Sequence, residues 1–283
     1  MNTTLHIPPQ LRDADAYVLN NSAGKDSAAM LHLWATTATD AMLARTVVLH
    51  LDLGDAEWPG VPALAAQQAA TYGLPVEVRR RERGGGLLDL VRDRGRWPGP
   101  STPFCRSYLK RDVARKFYTE LTGRLGVTGR PIQIVTELGL RAAESTVRSR
   151  RPTIALDRGA SSGRRQVTTW LPIHQLSTDA VWKTVRASGI PPHPVYQQLD
   201  RLSCRLCPFA GRRSLVTAAR MAPDTALDYA LVEDEVGQPF RRDLSMAQII
   251  EAAERGDTEP VRPLRPYGAA LHTLPHRTEG CAA

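Results

Sequence analysis

The stretch Ala16-Tyr17-Val18-Leu19-Asn20-Asn21-Ser22-Ala23-Gly24-Lys25-Asp26-Ser27-Ala28-Ala29-Met30-Leu31 changes character in its middle. Ala16–Asn20 is a short apolar run of strand length. Asn21–Lys25 is a polar loop with one glycine. From Asp26 to Thr37 the residues Ala28, Ala29, Met30, Leu31, Leu33 and Trp34 recur at helical spacing. At the start of such a helix, backbone N–H groups without intrahelical partners meet the positive end of the dipole. Gly24 lets backbone approach an anion, Lys25 adds a point charge, and Ser22 and Ser27 offer hydroxyls. The plainer alternative is a helix start capped by a serine or aspartate. The spacing is not that of a Walker A loop, which needs four residues between its first glycine and Gly-Lys-Ser/Thr.

The alternation continues outward. Thr46–Leu51 is a second apolar run, ending at Asp52-Leu53-Gly54-Asp55. Pro59–Tyr72 is helical, Leu74–Arg79 is a third strand, Lys110–Leu121 is a helix, and Ile132–Leu138 is a strand followed by Gly139 and a helix-like stretch. Strands alternating with helices predict an α/β fold, an open and mostly parallel sheet with helices on both faces. Ligands of such sheets sit at the carboxyl ends of strands, near a switch in strand order, where the Ser22 and Asp52 loops belong. Beyond this the chain is less regular. Arg151–Gln166 reads as a loop or mobile insertion, and Thr178–Ser188, Gly211–Met221 and Asp224–Glu235 read as helices. The expected organisation is a nucleotide-binding domain over residues 1–175, a smaller helical region over 176–255 and an irregular tail over 256–283.

The 283 residues, 42% hydrophobic and 23% charged, are ordinary for a globular protein and argue against wholesale disorder. No run approaches the roughly 18 apolar residues of a membrane span, and Met1–Gln10 has no basic-then-apolar signal pattern. A cytoplasmic protein without a membrane partner is expected. Its four cysteines are then free, catalytic or metal-bound rather than a disulfide scaffold. Lys and Arg number 37 against 29 Asp and Glu, a net +8. Arg79–Arg96 holds seven arginines against Glu82, Asp89 and Asp93, and Arg141–Arg165 holds seven against Glu144 and Asp157. Such patches suit phosphate, a nucleotide or a nucleic-acid backbone, with a solvated surface as the alternative. Arg141, Arg148 and Arg150 follow a strand and Gly139, and their guanidinium forks match phosphate oxygens. Glu144, three residues on from Arg141, is placed to orient its guanidinium. Asp52 is a candidate for Mg2+ or a ribose hydroxyl, or a plain turn aspartate. Cys204-x-x-Cys207, with Cys105 lying 99 residues earlier, has a spacing shared by zinc knuckles, iron–sulfur sites and redox pairs.

Ser22–Ser27 resembles the Ser-Gly-Gly-x-Asp-Ser PP-loop of the adenine nucleotide alpha hydrolase-like enzymes, with Ala23 in place of the first glycine. His50–Gly54, Pro103–Lys110, Gly139–Ser145 and the run from Leu171 through Trp182, Gly189, Pro194 and Tyr196 to Cys207 resemble, in order, further blocks of its PAPS reductase-like branch. The resemblance implies that Ser22, Ala23, Gly24, Lys25, Asp26, Ser27, Asp52, Gly139 and Arg141 bind the nucleotide, and that Lys25, Arg141 and Arg148 supply the positive field for catalysis. It implies Cys105, Cys204 and Cys207 as three ligands of a 4Fe–4S cluster, the fourth being Cys281, another group or none. A zinc site completed by His174 or His193, or plain buried thiols, stay open.

Sulfonucleotide reductases of this branch resemble one another in a C-terminal Glu-Cys-Gly-[Ile/Leu]-His element. Here the tail reads Glu279-Gly280-Cys281-Ala282-Ala283, with the order changed and no histidine. The expected activity is therefore that of an ATP-dependent enzyme that adenylates an acceptor, releases pyrophosphate and supports sulfur insertion, as in DNA phosphorothioation. ATP and Mg2+ are its expected cofactors, nucleic acid and a cysteine desulfurase its partners, and a homodimer is plausible. An APS or PAPS reductase producing sulfite and a non-catalytic nucleotide-binding subunit are the alternatives.

Overall fold

A computed structural model describes residues 4–82 and 84–256 of the chain. In chain order they form β1 (Ala16–Asn20), α1 (Lys25–Thr37), the one-turn α2 (Asp40–Leu43), β2 (Thr46–Asp52), α3 (Val61–Ala70), β3 (Val76–Arg80), α4 (Leu87–Arg94) and α5 (Phe104–Arg106). A π-helical segment, Ser107–Arg111, then leads into α6 (Asp112–Leu125), followed by β4 (Ile132–Glu137), α7 (Thr146–Ser149), β5 (Ile154–Leu156), β6 (Arg165–Trp170), α8 (Thr178–Ala187), α9 (Arg212–Met221), α10 (Pro223–Val236) and α11 (Met246–Arg255).

The six strands make one sheet in the order β3-β2-β1-β4-β6-β5, parallel except where β5 runs antiparallel to β6. β1 pairs with β2 on one side and with β4 on the other, so the strand order reverses there and the chains leaving β1 and β4 diverge. Successive side chains of a strand point to opposite faces, and β1 is buried on both. Tyr17 and Leu19 pack with Met30, Leu31 and Trp34 of α1. Ala16 and Val18 pack with Phe117, Tyr118 and Leu121 of α6. A third cluster joins Ala28 and Ala29 of α1 to Val181, Trp182 and Val185 of α8.

The largest core lies beyond the sheet. Leu87, Leu90 and Val91 of α4 meet Leu206, Leu215 of α9, Tyr229 and Val232 of α10 and Ile249 of α11. Trp97 stacks on Tyr229 with centroids 5.4 Å apart and meets Phe240 edge-on at 5.0 Å. Asp55, just past β2, caps α4 by accepting from Leu87 N at 2.8 Å and Leu88 N at 3.1 Å.

The structure changes one reading and adds others. Arg151–Gln166 is not a structureless insertion. Ile154, Ala155 and Leu156 form β5 and pair with Trp170, Thr169 and Thr168 of β6. The arginines and glycines around this three-residue strand hid its signal. α4 follows three glycines and is only eight residues long, about two turns. α11 was legible in principle, because Ser245 and Gln248 form a capping box ahead of buried Met246, Ile249 and Ala252. No helix among the described residues is long and apolar enough to cross a membrane. Cys281 and the rest of the tail beyond Gly256 lie outside the described residues.

Candidate functional site

The loop after β1 is shaped by side chains that brace it from beneath. Asn20 Nδ2 donates to Thr136 Oγ1 at 2.8 Å and Glu137 O at 3.1 Å, tying the ends of β1 and β4. Asn21 Oδ1 accepts from Ala23 N at 2.9 Å, and its amide donates to Gln68 of α3. Ala23 adopts φ +58°, a left-handed conformation that favours glycine. Gly24 is the N-cap of α1 and supplies no side-chain cap. Lys25 N instead donates to the Tyr196 hydroxyl at 2.8 Å. Ser27 Oγ donates to Gly24 O at 3.0 Å and lies 3.4 Å from Ser22 Oγ. Gly139, beyond β4, packs backbone to backbone on the first turn of α1. A β-carbon there would lie 3.0 Å from Ser27 N and 3.1 Å from the Asp26 carbonyl carbon.

Lys25, Arg141 and Arg148, three of the charged residues expected to meet phosphate, are linked here through carboxylates. The Asp26 carboxylate lies 3.3 Å from Lys25 Nζ and 2.6 Å from Arg141 Nε. Burial pushes the Asp26 carboxyl up, but Lys25 and Arg141 outweigh it and hold it below its ordinary value. Arg141 is 3% exposed and also reaches Leu176 O and Thr178 Oγ1, both at 3.3 Å. Glu144 does not orient the Arg141 guanidinium as its spacing suggested. A 3-10 turn brings its carboxylate onto Arg141 N at 2.9 Å. The same carboxylate pairs with buried Arg148, whose guanidinium is pushed down by burial, and with Arg201 at 3.2 Å. The arginines of Arg141–Arg165 are not one patch in space. Arg141 and Arg148 are buried, Arg150 and Arg151 are exposed beyond β4, and Arg158 and Arg164 lie on the β5–β6 connection, at the far end of the strands.

At the end of β2, Asp52 Oδ1 accepts from Gly54 N at 2.7 Å, and Oδ2 lies 3.9 Å from Arg80 Nη1. His50 is fully buried between Asn21 O at 2.8 Å and Glu57 Oε2 at 3.2 Å. Burial pushes its pKa down, but Glu57 and the Asn21 carbonyl raise it above the ordinary value.

The thiols share one apolar environment. Cys105 of α5 and Cys204 pack against the core under α9–α11, and buried Cys207 is hydrogen-bonded to Cys204. Burial, together with the neighbouring Cys204, pushes the Cys105 thiol up to about 11. A hydrogen bond from Cys207 is the largest influence on Cys204, and despite burial it lowers that thiol to about 7. Between them Arg205 fixes the loop. Its N donates to Ala56 O at 2.9 Å, its Nη2 to Asp55 O at 2.9 Å and its Nη1 to Thr225 Oγ1 at 2.6 Å. The buried Tyr229 hydroxyl has no hydrogen-bond partner; burial raises its pKa well above the ordinary value, and Cys204, Asp55 and Cys207 add to the rise.

Thiolates are the donor chemistry of an iron–sulfur cluster or a zinc site. Among the described residues, however, no three His, Cys, Asp or Glu groups stand where they could hold a metal ion. The histidines considered for zinc are engaged elsewhere: His174 with Arg148 O and Gln175, His193 with Pro59 O and Val195 N. The thiols as arranged do not fit a bound metal. Sequence reasoning gave no role to Tyr196, Arg201 or Tyr229. Tyr196 lay in a recognised block, but nothing in its spacing showed that its hydroxyl would reach the first amide of α1.

Comparison with known proteins gives one extended match. The family described as "Phosphoadenosine phosphosulfate reductase domain" matches residues 16–210. No curated protein matches the chain significantly. Among solved structures, phosphoadenylyl-sulfate (PAPS) reductase from Candida auris, in a phosphate complex, is 16% identical, with a TM-score of 0.43, over 64% of this chain and 76% of that one. The U34-tRNA thiolase NcsA from Methanococcus maripaludis, with its 4Fe–4S cluster, is 14% identical, with a TM-score of 0.43, over 88% of this chain and 74% of that one. FMN adenylyltransferase from Candida glabrata, in complex with FAD and inorganic pyrophosphate, is 11% identical, with a TM-score of 0.40, over 66% of this chain and 53% of that one.

Proposed function

Because this chain belongs to the phosphoadenosine phosphosulfate reductase domain family, we propose that it is an enzyme that activates an acceptor with ATP and then places sulfur on it, the acceptor being nucleic acid. One observation carries the reading. The segment from Tyr196 to Cys207 is hydrogen-bonded to the phosphate loop through Lys25 N at one end and carries the paired thiols at the other. Anion-binding backbone and sulfur chemistry thus share one stretch of chain.

In this reading the pyrophosphate of ATP lies against the first turn of α1, with Lys25 Nζ moving from Asp26 to the phosphates. Arg141 and Arg148 supply fixed positive charge from behind Asp26 and Glu144. Asp52 is the carboxylate that would hold a ribose hydroxyl or Mg2+, and the metal would there supply charge neutralisation for the leaving pyrophosphate. An acceptor oxygen attacks the α-phosphorus, the bond to the β-phosphate oxygen breaks, and pyrophosphate leaves. The terminal sulfur of a Cys204 persulfide, supplied by a cysteine desulfurase, then displaces AMP from the acceptor. This leaves the acceptor joined to Cys204 through a disulfide. Attack by Cys207 on the Cys204 sulfur releases the thiolated acceptor and forms a Cys204–Cys207 disulfide, which an external thiol reductant reopens.

Lys25→Ala is expected to abolish AMP and pyrophosphate formation, and unchanged ATP cleavage would remove the loop from the mechanism. The family match also favours a second reading, reduction of APS or PAPS to sulfite. That chemistry needs a nucleophilic cysteine, and Cys281 is the candidate. Sulfite release that disappears in Cys281→Ser would establish it.

A further inference from the structure

A cleft of about 560 Å3 opens beside α4 and α6. Leu90 and Val113 form its apolar part, Tyr108 supplies an aromatic wall, and Arg80, Arg81, Arg94 and Lys116 line it with positive charge. Arg94 lies over the Tyr108 ring, 4.4 Å from its centroid. Three acids line the cleft as well, and each is close to a cation: Glu82 to Lys116 at 2.7 Å, Asp93 to Arg81 at 3.0 Å and Asp112 to Arg115 at 3.6 Å. The lining itself sums to one positive charge, and it belongs to a stretch of sequence rich in cations. Residues 79–116, which contain both walls, hold twelve Lys and Arg against four Asp and Glu, an excess of +8. That equals the net charge of the entire chain, so the remaining residues sum to zero.

We propose that this cleft is where the acceptor binds, and that it takes a single-stranded segment of nucleic acid. The inference rests on the proposed activity only for the word acceptor; the binding site stands on its own residues. Phosphates would lie along Arg80, Arg81 and Lys116, and one unstacked base would lie on the Arg94 guanidinium, which Tyr108 backs from behind, the combination of cationic groove and stacking platform by which single strands are held without sequence preference. The location suits the chemistry. Arg80 reaches back to Asp52 and Gly54 at the nucleotide end, and Tyr108 is one helical turn from Cys105. A nucleotide in the cleft is flanked by both halves of the site.

The test is binding of fluorescent twelve-nucleotide single-stranded DNA and RNA to the full chain, followed by anisotropy from 50 to 300 mM salt. Tyr108→Ala and Lys116→Glu are each expected to weaken binding about tenfold. Lys116→Glu should also flatten the salt dependence by about 0.7 in log–log slope, the value for one phosphate contact on a single strand. ATP affinity, measured in parallel, should stay within twofold, since neither residue belongs to the nucleotide crevice. Unchanged oligonucleotide affinity in both variants overturns the proposal. So does a Tyr108→Ala variant that binds like the wild type while inorganic polyphosphate displaces the strand, because the surface would then read charge alone. Oligonucleotide-dependent pyrophosphate release from ATP that is unchanged in Tyr108→Ala and Lys116→Glu would sink the cleft and leave the proposed activity standing. Binding without ATP chemistry would do the reverse.

Discussion

The phosphate loop and the thiol pocket are joined by one segment of chain, yet they are held by opposite means. Around the loop the buried cations have carboxylates: Lys25 and Arg141 share Asp26, and Arg148 shares Glu144 with Arg201. Around the thiols the packing is largely apolar with Arg205 threaded through it, and Tyr229 Oη and Arg205 Nε are buried without partners. The first region is preorganised electrostatics that a polyanion can enter by exchanging one partner for another. The second is a largely apolar chamber in which burial raises the Cys105 thiol, and Cys204 is lowered only because Cys207 hydrogen-bonds to it. Charge at one end and exclusion at the other are what a two-stage reaction needs.

The sharpest way to break that contrast is Glu144→Gln. It leaves two arginines, one of them 5% exposed, without their carboxylate. Breaking a buried pair costs about 3–5 kcal/mol, so urea unfolding should move to markedly lower denaturant with an unchanged slope. A loss under about 1 kcal/mol would mean that the pair is not the brace described. Gly139→Ala comes next. Its β-carbon would press on backbone of α1, which cannot swing aside. Overpacking of this kind costs about 1–3 kcal/mol, and ATP affinity, read by calorimetry, should fall about tenfold. Normal affinity would show that the first turn of α1 is not the anion site.

These two sites were not equally legible. The strand–loop–helix around Gly24 could be read from the residues because helix starts and anion sites follow local rules, and its neighbours β2, α3, β3 and β4 follow the same alternation. The Asp26–Arg141 pair joins residues 115 positions apart, and no local periodicity encodes such a contact. Glu144 was assigned to the wrong group of Arg141 because helical i,i+3 geometry was assumed where the chain makes a 3-10 turn. The thiols were visible as a spacing, but their apolar environment comes from α9–α11 and α4, elements distant in sequence.

A smaller effect sharpens the comparison from beneath the loop. Glu137 is fully buried at the end of β4 with neither oxygen hydrogen-bonded, and burial raises its pKa well above the ordinary 4.5. The unfolded chain then releases this proton at lower pH than the folded one. Stability should fall as pH rises above about 4.5, until the folded group itself titrates. In Glu137→Gln that loss should vanish, so the difference in denaturation midpoint between pH 5 and pH 8 shrinks. An identical difference in both proteins would contradict the neutral buried acid. Smallest is Ala23→Gly. Relief of the left-handed strain at φ +58°, set against the added freedom of the unfolded chain, leaves a gain of about 0.5 kcal/mol, visible as a slightly raised Tm. A lowered Tm would mean that the alanine methyl contributes more to packing than its backbone costs.

The central claim is that this crevice breaks ATP between its α- and β-phosphates on behalf of an acceptor. The direct measurement supplies the purified full chain with ATP, Mg2+, single-stranded DNA and a persulfide donor, and separately with PAPS and a thiol reductant, and quantifies pyrophosphate and sulfite. The account predicts DNA-dependent pyrophosphate from ATP that is lost in Lys25→Ala, and no sulfite. Sulfite from PAPS with no pyrophosphate from ATP would contradict it and make the chain a sulfonucleotide reductase.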